Sequence, residues 1–230
     1  MSIISTGKGN SKYNIHITKK GISKSVLNRH LSRKNKILIV TDNGVPSKYI
    51  KSLKKDINNK NIFTIVLKKG EKSKSFDSYQ KILNELIKLK FDRSDYLIAL
   101  GGGVVGDITG FVASSYLRGI DYIQIPTTLL AQVDSSVGGK TAINLKHGKN
   151  LVGAFYNPKL VLISTHFLQS LSNDEYKSGL GEVLKYAFIG NKALKNIIEN
   201  NTNKIVARNE SILKIIIEES VKTKSKIVTK

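Results

Sequence analysis

The spacing of apolar and polar positions divides the chain into two stretches. Up to about residue 167, short and almost wholly apolar runs recur, each closed by a turn residue: 36–42 (KILIVTD), 61–67 (NIFTIVL), 95–100 (DYLIAL), 122–126 (YIQIP) and 160–164 (LVLIS). Runs of this length with polar, glycine or proline exits suit strands buried on both faces of a parallel sheet. Between them the spacing turns helical. In 76–89, Ile82, Leu83, Leu86, Ile87 and Leu89 recur at a near-helical period. This alternation predicts an open α/β sheet. After about Phe167 the pattern changes, and no strand is predicted from Ser172 onward. Ser172 and Glu175 have the spacing of a capping box, and the helix they open is expected to run through Gly181 to Phe188. A second amphipathic helix is expected over 212–221, with Ile212, Ile215, Ile216 and Val221 near one stripe. The reading is thus an α/β domain over 1–170, Rossmann-like with a parallel sheet, followed over 171–230 by the start of an all-helical domain. Two helices are too few to close a core, and Lys230 falls in a helical run with no stop signal. The chain is therefore expected to be a fragment.

Composition narrows the classes. There is no cysteine, which excludes disulfide frameworks and cysteine zinc sites. No apolar run approaches the roughly 18 residues that span a bilayer, and the N-terminus lacks a signal-peptide pattern. A cytoplasmic location is the default expectation, with no membrane partner. Lys+Arg number 38 against 17 Asp+Glu, for a net charge of +21. Arginine occurs only at Arg29, Arg33, Arg93, Arg118 and Arg208, so the excess is lysine, spread over every segment. Nucleic-acid binders cluster basic residues and interleave aromatics. Dispersed lysine reads instead as solvated surface, with some left to attract an acidic small molecule.

Chemistry concentrates between residues 101 and 157. Gly101, Gly103 and Gly106 form G-x-G-x-x-G after a predicted strand and before a helical run. Such glycines let backbone approach a phosphate at a helix N-terminus. The following strand ends in Pro126, Thr127 and Thr128, without the acidic residue usual in a Rossmann unit. Gly138 and Gly139 precede Lys140, and Gly148 precedes Lys149 and Asn150. Both read as close-approach loops carrying a cation. Asp134 before two serines reads equally as a helix cap. Together these features suit a pocket for a small anionic ligand at the C-terminal ends of strands.

The segment GGGVVGDITGFVASSYLRGIDYIQIPTTLLAQVDSSVGGKTAINLKHGKNLVGAFYNP, followed by SGLGEVLKYAFI, closely resembles the 3-dehydroquinate synthase family of sugar-phosphate cyclases. The likeness is strongest over 95–190. It implies an NAD- and metal-dependent enzyme, with Zn or Co as the divalent ion. The turn comprising Gly103, Val104, Val105, Gly106 and Asp107 would hold the NAD pyrophosphate, with Thr127 and Thr128 beside it. Asp42, Glu71 and Lys74 match positions on the adenosine side, and Phe167, Leu168, Gln169 and Ser170 match a further nucleotide-contacting turn. Gly44 stands where the family often has a polar residue. On the substrate side, Asp134, Lys140, Asn150, Lys185, Arg118 and Lys224 match residues holding hydroxyls, carboxylate and phosphate. Lys149 matches a lysine near the nicotinamide, and Lys140 borders the cofactor as well. Arg118 is expected to reach across a homodimer interface. Glu182 matches one of three metal ligands. The other two are histidines, and His16, His30, His147 and His166 match neither. On spacing alone, Glu182 and Lys185 read equally as a surface ion pair.

The implied reaction converts 3-deoxy-D-arabino-heptulosonate 7-phosphate to 3-dehydroquinate and phosphate. It runs through transient oxidation by NAD, phosphate elimination, re-reduction and an intramolecular aldol closure. That is a lyase step of the shikimate pathway, and with one metal ligand of three this chain is expected to be catalytically incomplete. Rival readings are another sugar-phosphate cyclase such as a 2-deoxy-scyllo-inosose synthase, a metal-dependent polyol dehydrogenase, a truncated inactive NAD-binding relative, and a basic nucleic-acid-binding domain.

Overall fold

All five apolar runs are strands, each within a residue of its expected limits. The computed structural model describes residues 1–229. In chain order the elements are β1 (Ser2–Thr6), β2 (Tyr13–Thr18), α1 (Lys24–His30), β3 (Ile37–Asp42), α2 (Ser47–Asp56), β4 (Ile62–Leu67), α3 (Phe76–Lys88) and β5 (Tyr96–Gly101). Then come α4 (Gly103–Ser115), β6 (Asp121–Pro126), a π-helical turn (Ala131–Ser135), β7 (Lys140–Leu145), β8 (Gly148–Phe155) and β9 (Leu160–Ser164). Three helices follow: α5 (Asn173–Phe188), α6 (Lys192–Val206) and α7 (Glu210–Val228).

Seven strands form one sheet in the order β1-β2-β9-β6-β5-β3-β4, parallel throughout except for the β1–β2 pair. All six residues of β3 are buried, because helices cover both faces. Leu38 and Val40 point into a layer shared with Ile82 and Leu86 of α3 and Ile108 and Val112 of α4. Ile37 and Ile39 point the other way, toward Leu27 of α1 and Leu53 of α2. Burying each such side chain stabilises by roughly 1.5–3 kcal/mol. The fold is α/β and Rossmann-like, as expected.

The helical stretch differs from its expected form in three respects. It contains three helices, because α6 lies between the two predicted ones. The helices share a core with the sheet: Val183, Tyr186, Leu213, Ile217 and Val221 pack with Ile15 and Ile17 of β2 and Val161 and Ile163 of β9. The buried stripe of α7 is Leu213, Ile216, Ile217 and Val221, while Ile215 is 40% exposed. Ser172 caps α5 as its spacing with Glu175 predicts, accepting from the Glu175 backbone N–H at 3.4 Å. The Glu175 carboxylate, however, accepts from the Ser172 hydroxyl at 2.9 Å.

Two hairpins went unread in the sequence. β1 and β2 mix apolar with polar positions and present no continuous apolar run. β7 and β8 pair antiparallel in a separate two-stranded sheet across the segment expected to be loops. Gly138 and Gly139 do make a turn there, with φ of 106° and 64°. Lys149 and Asn150 instead lie within β8. Asp134 lies in the π-helical turn and caps no helix. Among the described residues no helix is long and apolar enough to cross a membrane.

Candidate functional site

Helix α4 begins on bare glycine. The side chains of Ser75, Ser172, Asn191 and Asn209 cap α3, α5, α6 and α7. Gly102, at the cap position of α4, offers no side chain, and the first turn holds no acidic residue. The leading amides of α4 are therefore donors without a capping partner, at the positive end of the helix dipole. Gly102 and Gly103 pack tightly behind them. A Cβ on Gly102 would stand 3.1 Å from Thr128 Cγ2, and one on Gly103 would stand 3.0 Å from Ser135 Oγ. Thr128 Oγ1 accepts from the Ala131 N–H at 3.2 Å, fixing the turn after β6.

These amides open into a cleft of about 340 Å³. Asp42 at the end of β3, Gly102, Gly103, Val104, Thr127, Thr128, Phe167 and Ser170 line it. So do residues that the sequence did not point to, among them Lys69, Tyr49 and Glu175. Tyr49 forms one wall, edge-on to Phe167 at 4.8 Å between centroids and hydrogen-bonded to Ser170 at 2.8 Å. Asp42 Oδ1 accepts from the Gly44 N–H at 2.7 Å. Of the other residues expected at the cofactor, Leu168 belongs to the core, and Gln169 donates to the Arg208 carbonyl at 3.1 Å. Val105 is fully buried, so only its backbone can face a ligand.

A second cleft of about 550 Å³ begins one helical turn further along α4. Asp107, Asp134, Ser135, Lys140, Asn150 and Lys224 line it, brought from α4, the π-helical turn, the β7–β8 hairpin and α7. Its two carboxylates are each paired with a lysine. Lys74, 4% exposed, forms an ion pair with Asp107 and hydrogen-bonds the Asn150 side chain. Burial pushes the Asp107 carboxyl above its ordinary value, against the pull of Lys74 and with a further push from Glu71 and Asp134. At Asp134 burial also pushes upward. There, hydrogen bonds from Lys224 and Tyr186, with the charges of Lys224 and Lys185, outweigh it and hold the carboxyl low. Both bonds to Asp134 Oδ1 are 2.6 Å. The Tyr186 phenol is pushed far up by burial and by the carboxylates of Asp134 and Glu182.

Other expected site residues lie apart. Glu71 is outside both clefts, with Oε1 accepting from Asn144 Nδ2 at 2.7 Å. Asn144 Oδ1 in turn accepts from the Asn150 N–H at 3.0 Å, where Asn150 takes a φ of 58°. Lys149 is exposed and is not among the residues that line the cleft beside its neighbour Asn150. Arg118 is exposed beyond the far end of α4, about 20 Å along the helix from the glycine turn. Lys185 is ion-paired with Glu182, as the plain spacing reading has it. Glu182 Oε1 is buried without a well-formed hydrogen bond. Yet among the described residues no group of three His, Asp or Glu converges. A catalytic zinc takes about three protein ligands, so these residues do not make a metal site by themselves.

A glycine-opened helix at the carboxyl ends of a parallel sheet, beside a cleft, is the arrangement of a Rossmann-like α/β protein. The chain belongs to the 3-dehydroquinate synthase family: the family's N-terminal model matches residues 64–178 and its C-terminal model residues 179–230. A 3-dehydroquinate synthase of Prochlorococcus marinus is 46% identical over 231 aligned residues, covering 96% of this chain and 62% of that protein. One from Dictyoglomus thermophilum is 55% identical over 161 residues, covering 70% of this chain and 45% of the relative. The chain thus spans about three-fifths or less of the length of these relatives. Among solved structures, a 2-deoxy-scyllo-inosose synthase complexed with carbaglucose-6-phosphate, NAD+ and Co2+ has the same fold (TM-score 0.88, 24% identity, 99% of this chain and 62% of that one). A 2-epi-5-epi-valiolone synthase from Streptomyces hygroscopicus with NAD+ and Zn2+ bound is similar at TM-score 0.84 and 27% identity, over 96% of this chain and 62% of that one.

Proposed function

We propose that the chain is the dinucleotide- and substrate-binding part of a 3-dehydroquinate synthase. This cytoplasmic shikimate-pathway lyase acts on 3-deoxy-D-arabino-heptulosonate 7-phosphate. One observation carries the reading: Gly102 to Val104 face one cleft with bare helix amides, while Asp107, a turn later, faces the adjoining polar one. A dinucleotide's diphosphate on those amides directs its reactive end toward the polar cleft. The identities of 42–55% with 3-dehydroquinate synthases, against 24–27% with the two other cyclases, favour this substrate over theirs.

NAD, when bound, supplies a reversible hydride sink, so the overall reaction has no net redox change. The chain's own residues orient and neutralise. Amides of α4 hold the diphosphate. Lys140 and Lys224 set positive charge against a substrate with a carboxylate and a phosphate. Asn150, fixed by Lys74 and Asn144, is placed to hydrogen-bond hydroxyls. Asp134 stays ionised and accepts from hydroxyl groups. Glu182 offers one carboxylate to a divalent metal, the remaining ligands coming from outside these residues. Arg118, exposed at the far end of α4, is free to reach a second copy in a homodimer. The helices from α5 onward fall largely within the residues matched by the family's C-terminal model.

Calorimetric titration with NAD tests the reading. The chain is expected to bind NAD, and Asp107→Ala to bind it more weakly. A folded sample with no NAD affinity rejects the proposal. With zinc and substrate, these 230 residues alone are expected to release no phosphate, and robust turnover would refute their catalytic incompleteness.

A further inference from the structure

Lys69 follows β4 by two residues, and its backbone N–H donates to Asn43 Oδ1 at 2.7 Å. Its side chain lies along Gly44. A Cβ on Gly44 would stand 2.5 Å from Lys69 Cδ and 3.0 Å from Asp42 Oδ1. The lysine stem and the Asp42 carboxylate therefore flank one point, open only because residue 44 has no side chain. The ammonium continues across the cleft to Glu175 Oε2 at 3.0 Å, in the first turn of α5. Lys69 is the one cation among the described residues lining this cleft, and it stands against two carboxylates, Asp42 and Glu175. On a chain of net charge +21, the dinucleotide cleft is thus lined by a net negative charge.

An acidic residue at this sheet end takes the adenosine ribose hydroxyls of NAD, whereas a nearby cation takes the 2′-phosphate of NADP. This cleft holds both kinds of group, so their pairing decides between the ligands. Resting on the nucleotide-binding reading above, we infer that Glu175 is a specificity-determining residue. By holding Lys69, it denies the cleft's cation to a 2′-phosphate and so favours NAD over NADP. Asp42 adds like-charge repulsion against the same phosphate. Gly44 is part of the device, because any side chain there displaces the lysine stem from its seat.

The test is calorimetric titration of the chain with NAD and with NADP, for the wild type, Glu175→Gln, and Lys69→Met with Glu175→Gln. The wild type is expected to prefer NAD. Glu175→Gln releases the ammonium and raises NADP affinity relative to NAD by about tenfold, the scale of one hydrogen bond to a charged group. Adding Lys69→Met removes that gain. Glu175→Ala serves as a second variant, since Ser172 still caps α5 through the backbone N–H of residue 175. If the wild type binds NAD but the NADP-to-NAD ratio of both Glu175 variants stays within about twofold of it, the inference is overturned alone. A gain that survives Lys69→Met overturns it as well. A folded wild type that binds neither nucleotide overturns the nucleotide reading and this inference together.

Discussion

The two clefts that border successive turns of α4 are built in opposite ways. The glycine-turn cleft presents glycine backbone, threonine hydroxyls and a tyrosine wall, and its central donors are helix amides. The polar cleft presents charged side chains from four separate elements, and each carboxylate there already holds a lysine: Lys74 on Asp107, Lys224 on Asp134. The amides carry partial charge whether or not a ligand is present. Half-buried side-chain charges persist only when paired. The first cleft is therefore a property of one turn, while the second depends on the docking of α4, the hairpin, the π-helical turn and α7.

The sharpest way to break this contrast is Lys74→Met. It strands the buried Asp107 carboxylate, and the expected loss is about 3–5 kcal/mol of unfolding free energy in a urea titration. Combining it with Asp107→Leu should restore most of that. A single-mutant loss below about 1 kcal/mol would mean that the pair does not hold the polar cleft together.

Gly103→Val probes the other side. Its added atoms press on Ser135 and narrow the approach to the helix amides. NAD affinity should fall about 100-fold, equivalent to about 2.7 kcal/mol, with the urea midpoint less affected than in Lys74→Met. If stability falls instead and NAD binding holds, the two clefts have exchanged roles.

Lys224→Ala is milder, because Tyr186 continues to donate to Asp134. A loss of about 1 kcal/mol is expected for this partly exposed pair, read from the urea midpoint and shrinking in high salt. The smallest effect is in pH. Asp134 is held below its ordinary value of 3.8. Its contribution to stability is therefore present above 3.8 and lost as pH falls through its lower folded value. Asp134→Asn should flatten the acid limb of the stability profile by less than about 1 kcal/mol. An unchanged acid limb would show that the Lys224 and Tyr186 bonds do not hold this carboxyl low.

Legibility in the sequence followed the same divide. The strands of the parallel sheet were readable because burial on both faces leaves an unbroken apolar run, as in Ile37–Asp42. The β7–β8 hairpin was not, since polar and glycine positions interrupt its apolar ones and β8 has no buried residue. The glycine turn was visible as a spacing. The partners of the charged residues were not: Lys74 stands 33 positions from Asp107, and Lys224 stands 90 from Asp134. Nothing local marked Lys69 and Glu175 as a pair across one cleft, 106 positions apart.

By itself, the sequence determined the α/β alternation, the helix that opens on glycine and the switch to helices after β9. Each of these depends on neighbours in the chain: period, capping and backbone freedom. Only the tertiary structure decided that the late helices share a core with β2 and β9, that Glu71 and Arg118 lie outside both clefts, and which lysine neutralises which carboxylate. Pairing of charges is set by distance in space, and the dielectric cost of burial makes it compulsory, so it appears only once remote segments have packed.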